Sequence, residues 1–252
     1  AVMVGGFAAM AGGVLGALSA MGINAGDLLA ASVISAPGAL LISKVMQPET
    51  ETPKTLGHVG VDVDDDSVNV LEAIANGTTG GLQLALNVGA MLIVFLALIA
   101  VVNGLLGVTG AEAPDGPAAW TLEGILGARF APMAWLSGIE SGDCRAAGEL
   151  MGLKMATNEF VAYGRLAEWT TAAGADGVGQ ALKTDVVSER TRQIMTYALC
   201  GFANFSSIGI QLGGIGGIAP ERRSDLARLG LRAMIGGTMA AFMTACIAGI
   251  LI

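Results

Sequence analysis

Two short runs set polar side chains inside apolar sequence. "TNEF" at 157–160 puts the amide of Asn158 and the carboxylate of Glu159 beside the ring of Phe160. "FANFSS" at 202–207 groups Phe202, Asn204, Ser206 and Ser207 in the same way. A carboxylate withdrawn from water is costly unless it is paired, protonated or given a polar ligand. An amide and a carboxylate together can hold vicinal hydroxyls through several hydrogen bonds. A phenylalanine beside them offers an apolar face to a flat ring.

Each of these residues also has an ordinary structural reading. Asn and Ser in apolar helices often serve as interhelical glue worth under about 2 kcal/mol, and that reading leads for Ser206, Asn87 and Asn103. For Glu159 the structural reading is an ion pair with Lys154 or an arginine. An ionisable group in apolar sequence is by default functional, so a binding role is placed first. Glu149 and Lys154 are left open between the two. Catalysis is a poor fit. A hydrolase built on Ser207 and Glu159 would need a base within reach, and the single histidine, His58, falls in a polar loop.

The elements that must position these groups are set by composition. The chain has 252 residues, 53% hydrophobic and 13% charged, with a mean hydropathy of +0.66. Residues 1–26, 73–111, 193–220 and 233–252 carry no charge. About 20 apolar residues suffice to cross a bilayer as a helix. The class is therefore an all-α polytopic membrane protein. Its 38 glycines suit helices that pack backbone to backbone. The net charge of −8 gives no support for nucleic-acid binding. Cys144, Cys200 and Cys246 are too far apart in sequence for a metal motif or a disulfide framework, and no cofactor is expected. The chain enters apolar sequence at Ala1 with no basic leader, which reads as a piece of a longer chain rather than a signal peptide.

Along the chain, residues 1–23 form a first apolar segment with small residues at Ala8, Gly12, Gly16 and Ala20. Residues 28–46 form a second, with Pro37 expected to kink it and free a carbonyl. Residues 70–81 read as a helix end and turn, and 82–107 as a spanning helix. Loops are expected at 52–68, 109–121 and 167–192. Residues 122–139 and 145–166 are each too short or too polar to span. Joined by "GIESGD" at 138–143, they read as a re-entrant hairpin, which only protein or an aqueous cavity can shelter. Residues 193–219 read as a helix that unwinds halfway. "PERRSDLARLGLR" at 220–232 reads as a loop. Its four arginines place it on the cytoplasmic side, so 233–252 spans outward and leaves the C-terminus outside. Broken helices meeting near the midplane mark a transporter site. A scaffold or channel-like module, with polar groups that only hold helices together, is the alternative.

"GELMGLKMATNEFVAY", "ANGTTGGLQLALNVGAMLIVFLALIAVVNGLLG" and the long run from "YALCGFANFSSIGIQLGGIGG" to the C-terminus closely resemble the C-terminal half of concentrative nucleoside transporters. The opening "VMVGGFAAMAGGVLGAL" resembles that family's broken fourth helix. The resemblance covers 1–252 apart from the loops at 52–68 and 167–188.

The resemblance implies a homotrimeric, ion-coupled nucleoside importer, multi-pass in the cell membrane, bacterial inner membrane included. Glu159 would bind ribose hydroxyls, joined by Asn204 and Ser207 from the unwound helix. Phe202 would lie beside sugar and base, and Val14 would pack on the base. The family's first hairpin, which reads the base, would lie upstream of Ala1, so this chain alone is not expected to transport. The family's sodium site uses backbone and a Ser or Thr hydroxyl of the fourth helix. Ala9 and Met10 stand at those positions, so the hydroxyl is missing. A weakened sodium site is favoured, with proton coupling as the alternative.

Overall fold

The computed structural model describes residues 1–50, 69–108, 121–172 and 187–252. The loop expected at 52–68 and nearly all of that at 109–121 lie outside the described residues. Among those described, every regular element is helical. In order they are α1 (Val2–Ala8), α2 (Gly12–Ala20), α3 (Ala25–Met46), α4 (Val70–Val108), α5 (Leu122–Leu136), α6 (Cys144–Ala156), α7 (Glu159–Ala172), α8 (Glu189–Ala198), α9 (Phe205–Ile218), a short 3-10 turn (Pro220–Arg222) and α10 (Arg223–Leu251). Taken together α1 and α2 are long and apolar enough to cross a membrane, and so are α3 and α10.

The first apolar segment is two helices. Ala9 and Ala11 adopt extended backbone, with ψ of 159° and 145°, so the chain stops being helical across Ala9–Ala11 and resumes in the same apolar stretch. α3 continues through Pro37. Its start is fixed by Asn24, whose side chain accepts from the N–H groups of Gly26 at 2.8 Å and Asp27 at 3.1 Å.

Three expectations are corrected. "ANGTTGG" at 75–81 is not a turn: it lies inside α4, a 39-residue helix. The Thr78 and Thr79 hydroxyls donate to the carbonyls of Ile74 and Ala75, so these polar side chains are satisfied on the helix itself. At 1.5 Å per residue α4 is about 58 Å long, well beyond a bilayer core of about 30 Å. Residues 223–232 are not a loop. α10 begins at Arg223, and only Ala219–Arg222 separates it from α9. The loop at 167–192 is shorter than composition suggests. α7 runs to Ala172, and Ser188 caps α8 by accepting from the N–H of Thr191.

α10 is the hub, packing against α1, α3, α8 and α9. Its inward face is built from small residues: Gly230, Ala233, Gly237, Ala240, Ala241, Ala245 and Ala248 are buried. In a bilayer the gain comes from close van der Waals packing, and small side chains allow backbones to approach. α5 and α6 show the same device at its limit. A Cβ on Gly148 would lie 2.5 Å from the Gly127 carbonyl oxygen, and one on Gly127 would lie 2.7 Å from Glu149 Cα.

Candidate functional site

Where the polar run "TNEF" falls is decided by two local signals. Thr157 closes α6, its hydroxyl donating to the Leu153 carbonyl at 2.6 Å. Asn158 opens α7, its side chain accepting from the N–H of Val161 at 3.0 Å. Residues 145–166 are therefore not one arm but two helices. They fold back on each other, as their contacts with α8 show. Asp143, before α6, accepts from the N–H of Ser188, and Lys154 near the end of α6 donates to the carbonyl of Ala198. Tyr163 on α7 donates to the Thr196 carbonyl, and Leu166 lines a cavity with Glu189 and Gln193. So α6 runs with α8, α7 runs against it, and "TNEF" is the apex. The hairpin tip is Thr157–Glu159, whereas the turn at 138–143 joins α5 to α6 at the opposite end.

The second polar run breaks α8 from α9. Leu199–Asn204 is non-helical, with Gly201 at φ +91°. A Cβ there would meet the carbonyl oxygens of Phe7 and Ala8 at 2.6 Å each. Only glycine satisfies both the positive φ and that approach. This contact brings the α8/α9 break against the end of α1, where the α1/α2 break begins.

Hairpin tip and helix break meet through one amide. Asn204 donates from Nδ2 to Glu159 Oε2 at 3.1 Å. Its Oδ1 accepts from the Ser206 hydroxyl at 2.7 Å and from both the N–H and the hydroxyl of Ser207 at 2.9 Å. The Ser206 hydroxyl also reaches the Thr157 carbonyl at 3.4 Å. Asn204 is fully buried, and Glu159, Ser206 and Ser207 are each 2% exposed. Glu159 occupies the first turn of α7, and Asn204 is the N-cap of α9. Two helix N-termini, each with partial positive charge, thus converge on the buried carboxylate.

Of the residues singled out from sequence, Glu159, Asn204 and Ser207 are brought together. Phe202 is half-buried two residues before Asn204. Val14 is half-buried on the first turn of α2, at the edge of the apolar cluster that includes Met10, Tyr163 and Cys200. Ala9 and Met10 lie in the α1/α2 break, outside both helices. Ser206 shares the Asn204 side-chain oxygen with Ser207 and ties the helix break to the Thr157 carbonyl. Among the described residues, Glu159 makes no ion pair with Lys154. The Lys154 ammonium goes instead to the carbonyls of Ala198 at 3.2 Å and Cys200 at 3.1 Å. Sequence reasoning left that residue open. The available signal was a cation in the last turn of α6, set among the apolar residues Leu153, Met155 and Ala156. A cavity of about 320 Å³ lies elsewhere, between the start of α1, the ends of α3 and α9 and the start of α10. It touches none of Glu159, Asn204 and Ser207.

A family described as "Na+ dependent nucleoside transporter C-terminus" matches residues 27–249. The chain belongs to this nucleoside transporter family. An uncharacterized transporter of Haemophilus influenzae is 47% identical over all of this chain and 58% of its own length. Sodium/nucleoside cotransporter 1 of Rattus norvegicus is 42% identical over 99% of this chain and 39% of its own. Among solved structures, CNTnw in an inward-facing substrate-bound state superposes with a TM-score of 0.76 at 39% identity, over 99% of this chain and 56% of that one. A doubly substituted CNTnw in an outward-facing state gives 0.79 at 39% identity, again over 99% and 56%. The nucleoside transporter fold, with its broken helices and fold-back hairpin, is the one built here. The chain spans a little over half the length of the bacterial relative and of these structures.

Proposed function

We propose that this chain forms the C-terminal, substrate-holding part of an ion-coupled nucleoside importer. The carrying observation is the buried Glu159–Asn204 pair where hairpin tip and helix break meet. A carboxylate this buried, without a cationic partner among the described residues, suits a site whose ligand supplies hydroxyl donors. The hydrogen bonds already made support a division of roles. Asn204 Oδ1 already accepts three bonds, so toward a ligand Asn204 offers only its second Nδ2–H. Glu159 accepts, through Oε1 and the free lone pair of Oε2. The Ser207 hydroxyl, which donates to Asn204, can accept. A vicinal diol matches this set, with one hydroxyl donating to Glu159 while accepting from Asn204. Phe202 and Val14 supply apolar area for the base.

The coupling ion is sodium. Names of relatives such as the rat sodium/nucleoside cotransporter support this reading, and the extended backbone at Ala9 and Ala11 frees nearby carbonyls from helical ladders. The assembly is a homotrimer in the cell membrane. The Ala219–Arg222 turn and the arginines at the start of α10 face the cytoplasm, and the C-terminus lies outside.

Glu159→Gln in the full-length protein is the test. It is expected to reach the membrane and to lose nucleoside uptake at low substrate concentration. Normal uptake by the variant would remove Glu159 from the site.

A further inference from the structure

We propose that Lys154 is a positioning residue for the nucleoside site, a role that rests on the function proposed above. Lys154 is 5% exposed, on the last turn of α6. A buried ammonium must find acceptors. It finds the carbonyls of Ala198, the last residue of α8, and Cys200, inside the break. The C-terminal end of a half-helix carries partial negative charge, so a cation from a neighbouring element caps it favourably.

Hairpin and broken helix are also joined by the Ser188 N–H to Asp143 at 3.0 Å, Tyr163 to the Thr196 carbonyl at 2.7 Å, Ser206 to the Thr157 carbonyl at 3.4 Å, and Asn204 to Glu159 at 3.1 Å. Among these ties only that of Lys154 is made by a cation. Its placement also matters. Lys154 lies five residues before Glu159, and Cys200 lies four before Asn204. The ammonium therefore fixes the break just upstream of the amide that meets the carboxylate. It engages carbonyls rather than Glu159, which leaves the carboxylate available to a ligand. A methionine of similar length would strand both carbonyls in apolar surroundings and release the backbone that aims Asn204.

The experiment uses full-length transporter in proteoliposomes. Wild type, Glu159→Gln, Lys154→Met, Lys154→Gln, Asn204→Ala and the Lys154→Met/Asn204→Ala double variant are compared. Lys154→Met is expected to raise the nucleoside KM by about tenfold or more, the scale of a lost charge-assisted bond. Vmax per transporter and sodium half-saturation at saturating nucleoside should both stay within about threefold. Lys154→Gln keeps N–H donors without the charge and should fall between. In the double variant the two effects should be clearly less than additive, because a misplaced Asn204 has less left to lose. An unchanged KM, a loss confined to Vmax or full additivity would overturn the role. So would failure of both Lys154 variants to reach the membrane where Glu159→Gln succeeds, which would assign Lys154 to folding. Absence of nucleoside uptake by the wild type would instead defeat the proposed function itself.

Discussion

Asn204 does two jobs that substitution can separate. It caps α9 through Oδ1, and it donates to Glu159 through Nδ2. Asn204→Ala removes both. The lost cap costs about 1 kcal/mol of stability, whether or not substrate is bound. The lost bond to a buried carboxylate, and the lost Nδ2–H toward a ligand hydroxyl, cost about 1.5–3 kcal/mol of affinity. That is roughly a 10- to 150-fold rise in nucleoside Kd. Asn204→Asp keeps the cap, since Asp serves there as well as Asn. It replaces the donor by a second carboxylate across the 3.1 Å now spanned by the hydrogen bond. Two buried carboxylates at that separation cannot both stay charged without a large penalty. The expected order of nucleoside affinity at neutral pH is therefore wild type, Ala, then Asp, although Asp is the better cap. Isothermal titration of a nucleoside into purified full-length protein, in sodium buffer, reads it directly. Affinity of Asn204→Asp equal to or better than that of Asn204→Ala would refute the donor assignment. An unchanged Kd for Asn204→Ala would remove the residue from the site.

Gly201→Ala forces a side chain into positive φ and against the carbonyls of Phe7 and Ala8, so thermal stability in detergent should fall markedly, by several °C or loss of folded protein; an unchanged melting temperature would contradict the packing of the two breaks. Ala9→Ser restores a hydroxyl at the break and should lower the sodium concentration for half-maximal uptake at fixed pH. Uptake indifferent to sodium and driven by an inward proton gradient would overturn the sodium reading.

The class of the protein was legible in sequence because it depends on local composition. Long uncharged stretches such as 1–26 and 233–252 specify apolar helices whatever they pack against. The two polar runs were legible for the same reason, as polar residues stand out against such a background. Helix limits were less so. "ANGTTGG" reads as a turn by rules learned in water, yet it is helical here, with its threonines bonded back to the helix. Thr157 and Asn158 read equally well as ligands or as caps, and only the backbone path shows that they end α6 and begin α7. That choice moved the hairpin apex from 138–143 to 157–159.

Pairing was beyond composition and spacing, and the family resemblance grouped Glu159 with Asn204 and Ser207 but gave Lys154 no partner. Glu159 and Asn204 are 45 residues apart, and Lys154 and Cys200 are 46 apart. Composition can say that a buried carboxylate and a buried ammonium each need a partner. It cannot say that the carboxylate takes an amide while the ammonium takes carbonyls. Tertiary structure decides this, because the α8/α9 break exposes carbonyls at one point and an N-cap amide four residues later, and the fold-back of α6 on α7 delivers one charge to each.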